Sequence, residues 1–203
     1  MSIITVSRQY GSGGKELAER LAKQLNYDYY DKNVITEIAK KTSLDEKYVK
    51  DNIEKSATAY PSHFGRGSFY SPIIAEGAIT VAVAQREILK SLAKKGNAVF
   101  VGRAADLILS DFEPFNIFVC ADNAARIARL KRVIDGFDKL SDKEVQRKML
   151  SIDKERAKCR EMYSDTKWGD PLTYHLIVNT TGADIKSLVP ALADYVLGWF
   201  NGK

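Results

Sequence analysis

Cysteine and histidine are scarce in this chain of 203 residues, with two of each. Cys120 and Cys159 form no Cys-x-x-Cys pair, and His63 and His175 are too few to complete a zinc site. Cys120 sits in an apolar run and reads as core, because free cysteine is usually buried. No run approaches the roughly 18 apolar residues of a membrane span. Met1-Ser2-Ile3-Ile4 lacks the basic stretch and apolar core of a signal peptide. Low-complexity tracts and internal repeats are missing too. These absences point to a cytoplasmic globular protein with no membrane partner.

What is present fits one compact α/β domain. Hydrophobic residues make up 45% and charged residues 28%, enough to bury a sizeable core. The net charge of +5 suggests an anionic partner, either nucleic acid or a phosphorylated small molecule. The arginines gather near strand ends instead of forming one basic run, which favours the small molecule.

The chain opens with a β-branched run, Ile3 to Ser7, then Gly11-Ser12-Gly13-Gly14, then helical spacing through Leu17, Leu21 and Leu25. Tyr27 to Asp31 reads as a second strand. Helices are expected over 33–41 and 45–55, with Thr42 or Ser43 capping the second. The stretch from Tyr60 to Pro72 reads as a long loop, and 75–95 as a long helix stopped by Gly96. Ala98–Val101, Asn116–Cys120 and Leu176–Val178 are apolar on both faces, as in a parallel sheet covered on both sides. Further helices are expected over 123–133, 142–162 and 184–200. Pro190 lies in the first turn of the last helix or kinks it. Five strands alternating with helices predict a parallel sheet whose strand C-termini share one ligand-binding edge.

The glycine loop carries the clearest chemistry. Between a strand and a helix, such a loop aims backbone N–H groups at phosphate oxygens, aided by the helix dipole. Lys15 adds a mobile charge for the terminal phosphates. The match to G-x-x-x-x-G-K-[ST] is partial: Gln9 stands at the first glycine, and Glu16 replaces the hydroxyl residue after the lysine. A tight strand-to-helix turn, capped by Ser12 and with Glu16 favoured by the dipole, explains the same residues without a ligand. Gly102-Arg103 follows a buried strand at the ligand edge, where an arginine can grip a phosphate with two parallel bonds. Arg126 and Arg129 share one helix face, as do Arg156 and Arg160 on a later helix. Arginines converging on a moving phosphate would position it and stabilise its charge.

In order, Ile4-Thr5-Val6-Ser7-Arg8-Gln9-Tyr10-Gly11-Ser12-Gly13-Gly14, Tyr30-Asp31-Lys32, Val99-Phe100-Val101-Gly102-Arg103 and Lys167-Trp168-Gly169-Asp170-Pro171 resemble the cytidylate-kinase-like proteins. The resemblance covers nearly the whole chain. It implies a P-loop kinase fold with a core of 1–32, 96–140 and 173–203, a helical monophosphate-binding insert at 33–95 and a lid at 141–172. It implies ATP on Gly11, Ser12, Gly13, Gly14, Lys15 and Glu16, with Arg126 and Arg129 nearby. It further implies a nucleotide acceptor, CMP or dCMP, held by Arg103; Asp31 and, in the aromatic loop, Arg66 are further candidates for the acceptor side. Lys15, Arg156 and Arg160 would act on the transferring phosphate. Ala104 departs from the Gly-Arg-Asp context of authentic cytidylate kinases. Mg²⁺ is expected with ATP, with no metal site of the protein's own. A nucleotide-binding protein with weak or lost turnover and a kinase of another small metabolite are the alternatives.

Overall fold

The structure, a computed structural model, describes residues 1–31, 33–55 and 72–202. Strands β1 (Ile3–Arg8), β2 (Asp28–Tyr30), β3 (Ala98–Val101), β4 (Phe115–Cys120) and β5 (Leu176–Asn179) form one sheet in the order β2-β3-β1-β4-β5. Every pairing is parallel, with Ile4 opposite Val99 on one side and Phe115 on the other. All five strands therefore end on one edge. The connection from β3 to β4 crosses over β1, so the crevice of this edge opens around the end of β1.

Alternation along the strands explains their apolar character on both faces. Ile3, Ala98 and Phe100 pack with Val34 and Ile38 of α2 (Asn33–Thr42) and Leu89 of α4 (Pro72–Ala93). Ile4, Val6, Val99 and Ile117 face the other way. They pack with Leu17 and Leu21 of α1 (Gly14–Leu25) and Val196 of α8 (Ile185–Asn201). Each such aliphatic side chain contributes about 1.5–3 kcal/mol by leaving water.

Helix boundaries follow local chemistry. α1 ends where Asn26 turns left-handed and returns its N–H to the Ala22 and Lys23 carbonyls. α3 (Glu46–Lys55) is started by Asp45, whose Oδ1 accepts from the N–H groups of Lys47 and Tyr48, and not by Thr42 or Ser43. Thr42 instead donates back to the Ile38 carbonyl. α6 (Asn123–Val133) has Asp122 as its cap. α7 (Asp142–Glu161) opens with a capping box of Ser141 and Glu144. α8 starts at the Asp184 cap and continues through Pro190 in its second turn. A short α5 (Ala105–Ile108), which no sequence period announces, follows β3 directly. The expected long loop over 60–72 lies almost wholly outside the described residues. Among the described residues, no helix is long and apolar enough to cross a membrane.

Candidate active site

The glycine loop joins the middle strand to α1 across the mouth of a cleft of about 1380 Å³. Its path is fixed from below. Gln9 N–H donates to the Val119 carbonyl at 3.0 Å, and Tyr10 N–H donates to Asp153 Oδ1 at 2.7 Å. Gly11 and Gly13 both take φ of +81°, and a Cβ on either would press on Leu130 or Ile185. Ser12 is not the helix cap. Its buried hydroxyl donates to the Gln9 carbonyl at 2.8 Å, so it shapes the loop from behind the cleft. The cap position belongs to Gly13, and no side chain bonds there. The first four N–H groups of a helix lack an intrahelical acceptor, and here they belong to Gly13, Gly14, Lys15 and Glu16, all lining the cleft. With the helix dipole behind them they form a ready anion site.

The opposite wall begins where β3 ends. Gly102, Arg103 and Ala104 are left-handed in succession, with φ of +71°, +60° and +51°. Non-glycine residues rarely take this conformation, and the neighbours hold it here. Gly102 N–H donates to the Val6 carbonyl at 3.0 Å, and buried Gln85 donates to the Arg103 carbonyl at 3.2 Å. Arg103 Nε reaches the Asp31 carbonyl at 3.4 Å. The Asp31 carboxylate, largely buried, meets Lys15 Nζ at 3.3 Å and Arg8 Nη2 at 3.9 Å. Lys15, Asp31 and Arg103, separate in sequence, thus come together at the ends of β1, β2 and β3.

Arg8 is the residue that the sequence reading missed. Burial first, and then Arg156, push its guanidinium down to about 9; Asp31 opposes and Arg103 adds to the shift. It stays a cation at neutral pH. The available signal was its position, since the last residue of a strand at the ligand edge projects toward the ligand crevice.

The four arginines of α6 and α7 have different fates. Arg126 does not reach the cleft. Its side chain is 2% exposed, ion-paired with Asp153, and donates to the Tyr10 carbonyl at 2.7 Å. It braces the loop from inside, where the resemblance implied a place near ATP. Arg129 does line the cleft, but it donates to the Gly11 carbonyl at 2.9 Å and reaches Thr180 as well. Arg156 lies over the Tyr10 ring and donates to the Arg8 carbonyl at 2.8 Å. Arg160 lines the cleft wall while pairing with Asp106 of α5 and bonding Thr166. A buried ion pair occupies that guanidinium, so a direct catalytic part for Arg160 would require breaking it. Arg66 lies outside the described residues.

Two groups have unpromising chemistry. Cys159 lines the cleft, but burial raises its thiol to about 11; Arg103 opposes this less strongly, and Asp106 adds a smaller push upward. It is neutral at pH 7 and unfit as a nucleophile. Glu16 pairs with Arg20 at 2.8 Å. Among the described residues, no cluster of three His, Cys, Asp or Glu side chains could hold a metal ion.

Fold and cleft together define a P-loop kinase architecture. The chain belongs to the cytidylate kinase-like family, which it matches over residues 3–182. No curated protein sequence matches it. Among solved structures, it resembles an uncharacterized protein from Eubacterium ventriosum, with a TM-score of 0.66, 22% identity and coverage of 97% of this chain and 98% of that one. It also resembles shikimate kinase from Bacteroides thetaiotaomicron, with a TM-score of 0.56, 16% identity and coverage of 96% and 98%. The shikimate kinase from Acinetobacter baumannii, in complex with shikimate, gives a TM-score of 0.54 at 15% identity, covering 98% and 94%. At these identities the likeness shows the fold alone.

Proposed function

We propose that this chain transfers the terminal phosphoryl group of ATP to a nucleoside monophosphate, with CMP or dCMP as the leading acceptor. One observation carries the reading: the uncapped start of α1 shares a cleft with Lys15, Arg103 and Arg156. Two anionic groups brought together need this arrangement, an N–H nest for one and arginines for the other. Family membership and the kinase fold support a small-molecule phosphotransferase.

On this reading ATP lies along Gly11 to Glu16, with Arg129 fixing the loop from its carbonyl side. Arg103 and Asp31 face the acceptor, within a monophosphate-binding region spanning 33–95 that includes Arg66. Residues 141–172 serve as the lid, with Arg156 directed at the transferring group. An acceptor phosphate is already anionic at neutral pH, so the site needs no strong base; positioning and charge stabilisation suffice. Magnesium, when bound with ATP, neutralises phosphate charge.

The test is ADP release with ATP and Mg²⁺ across a panel of nucleoside monophosphates and small hydroxylated metabolites. CMP and dCMP should give the highest kcat/KM. A metabolite outranking every nucleotide would replace the acceptor class. A second reading, nucleotide binding with little turnover, draws support from Lys15 being held on Asp31 at 3.3 Å instead of pointing freely into the cleft. ATP binding without ADP release from any acceptor would establish it.

Arg103→Lys separates the two subsites. The change keeps the charge and loses the planar fork. It should raise the acceptor KM at least ~10-fold, the factor that 1.4 kcal/mol represents, while ATP affinity stays within about 2-fold. Equal losses for both would assign Arg103 to the donor or to the fold.

A further inference from the structure

Two glycines from different elements leave room for one side chain, that of Arg8. A Cβ on Gly14 would stand 2.5 Å from the Arg8 Cβ. A Cβ on Gly102 would overlap the Arg8 guanidinium at Nη1. The arginine therefore runs from the start of α1 across the end of β3, joining the walls assigned above to donor and acceptor. It is held at its carbonyl by Arg156 at 2.8 Å and at its guanidinium by Asp31 at 3.9 Å. Only 18% of the side chain is exposed, and Arg156 and Arg103 both act on it as like charges. One carboxylate, shared with Lys15, opposes them. A partly desolvated cation among like charges is costly unless an anion joins it.

We propose that Arg8 is a catalytic residue that grips the transferring phosphoryl group between donor and acceptor, and that Gly102 is glycine so that its guanidinium can lie there. The inference rests on the phosphotransferase reading. In the step, an acceptor oxygen forms a bond to the terminal phosphorus and the bond from that phosphorus to the ADP oxygen breaks. The electron pair leaves with ADP. Arg8 donates hydrogen bonds to the equatorial oxygens and transfers no proton. Its planar fork suits two of those oxygens at once.

The experiment compares wild type, Arg8→Gln, Arg8→Lys, Gly102→Ala and the Arg8→Gln/Gly102→Ala double variant. It measures ADP release, ATP binding by calorimetry and thermal midpoint. An alanine at 102 carries the backbone strain of a left-handed residue, as Arg103 and Ala104 already do, and that strain is the same in both Arg8 backgrounds, so only the contact with Arg8 differs between them. Arg8→Gln should lower kcat ~100-fold or more, the scale for losing one preorganised donor, with both KM values within about 3-fold. Arg8→Lys should recover part of this. Gly102→Ala should lower kcat in the wild-type background and add less than about 2-fold in the Arg8→Gln background, since it acts by displacing Arg8. If Arg8→Gln does not fold, Gly102→Ala and Arg8→Lys carry the test alone. A wild type that turns over no acceptor overturns the phosphotransferase reading and the catalytic role with it. An active wild type whose folded Arg8 and Gly102 variants keep kcat within 3-fold overturns the role of Arg8 and leaves that reading standing. An undiminished Gly102→Ala effect in the double variant overturns the link between the two residues.

Discussion

Replacing Lys15 by alanine is expected to cut turnover by about 100- to 1000-fold, the scale seen when one preorganised charge-stabilising donor is removed. Lys15 is the second residue of α1, beside the free N–H groups and within 3.3 Å of Asp31. Its side chain is 54% exposed, so the pair with Asp31 adds little to stability, at most about 1 kcal/mol. Activity and stability should therefore separate. The thermal midpoint should move by less than about 4 °C, the shift that 1 kcal/mol gives in a protein of this size. ATP affinity, measured by calorimetry, should fall along with kcat. An unchanged kcat with unchanged ATP binding would reduce the loop to a strand-to-helix turn.

The largest effect on stability is expected from Asp153→Ala. The substitution leaves Arg126 charged, 2% exposed and without its carboxylate. It also removes the acceptor of the Tyr10 N–H at 2.7 Å. Breaking one side of a buried pair costs about 3–5 kcal/mol. Thermal unfolding should shift down by roughly 6–20 °C, taking 2–4 °C per kcal/mol for this size. The paired replacement Arg126→Met with Asp153→Leu should recover most of the loss, because it removes both charges and keeps apolar volume. A shift under 2 °C for Asp153→Ala would mean that water reaches the Arg126 guanidinium. Because Asp153 and Arg126 both hold Tyr10, the variant should also weaken ATP binding.

The sheet was legible because its strands lie between two helical layers. Burial on both faces leaves short apolar runs such as Val99-Phe100-Val101, which helices of that length do not produce. The amphipathic helices were legible through their period, and α6 begins and ends where its spacing says. α5 was not, since four residues are too few for a period to show. The site was half legible. Glycines flanked by a strand and a helix mark the anion loop, and an arginine after a strand marks the ligand edge. Sequence spacing could not separate Arg126 from Arg129. They share a face by residue count, yet one points under the loop because Asp153 waits there, 27 residues later in the chain. No one-dimensional pattern carries such a pairing. The sequence shows the glycine at 102 only as a residue after a strand; its left-handed φ of +71° and the path of Arg8 are the two reasons the structure supplies.

Two buried ion pairs that α7 makes with the rest of the molecule, through Asp153 and Arg160, act as latches on its movement, beside a more exposed pair of Asp142 with Lys131. Swinging the whole helix away from the cleft would strand four charges in poorly hydrated surroundings. Each broken pair costs about 3–5 kcal/mol until water fills in, so a fully detached helix would be populated in fewer than about one molecule in ten thousand. On the kinase reading, motion that accompanies nucleotide entry is expected past the end of α7, in the segment 162–174. There a 3₁₀ turn over Pro171–Thr173 and the exposed Leu172 have no such anchor among the described ion pairs. In hydrogen-exchange terms, the amides of α7 should exchange with the sheet, and those of 162–174 with the solvent-facing loops. On the kinase reading, the part of the lid expected to move is therefore the dozen or so residues that follow α7, with the helix itself held in place.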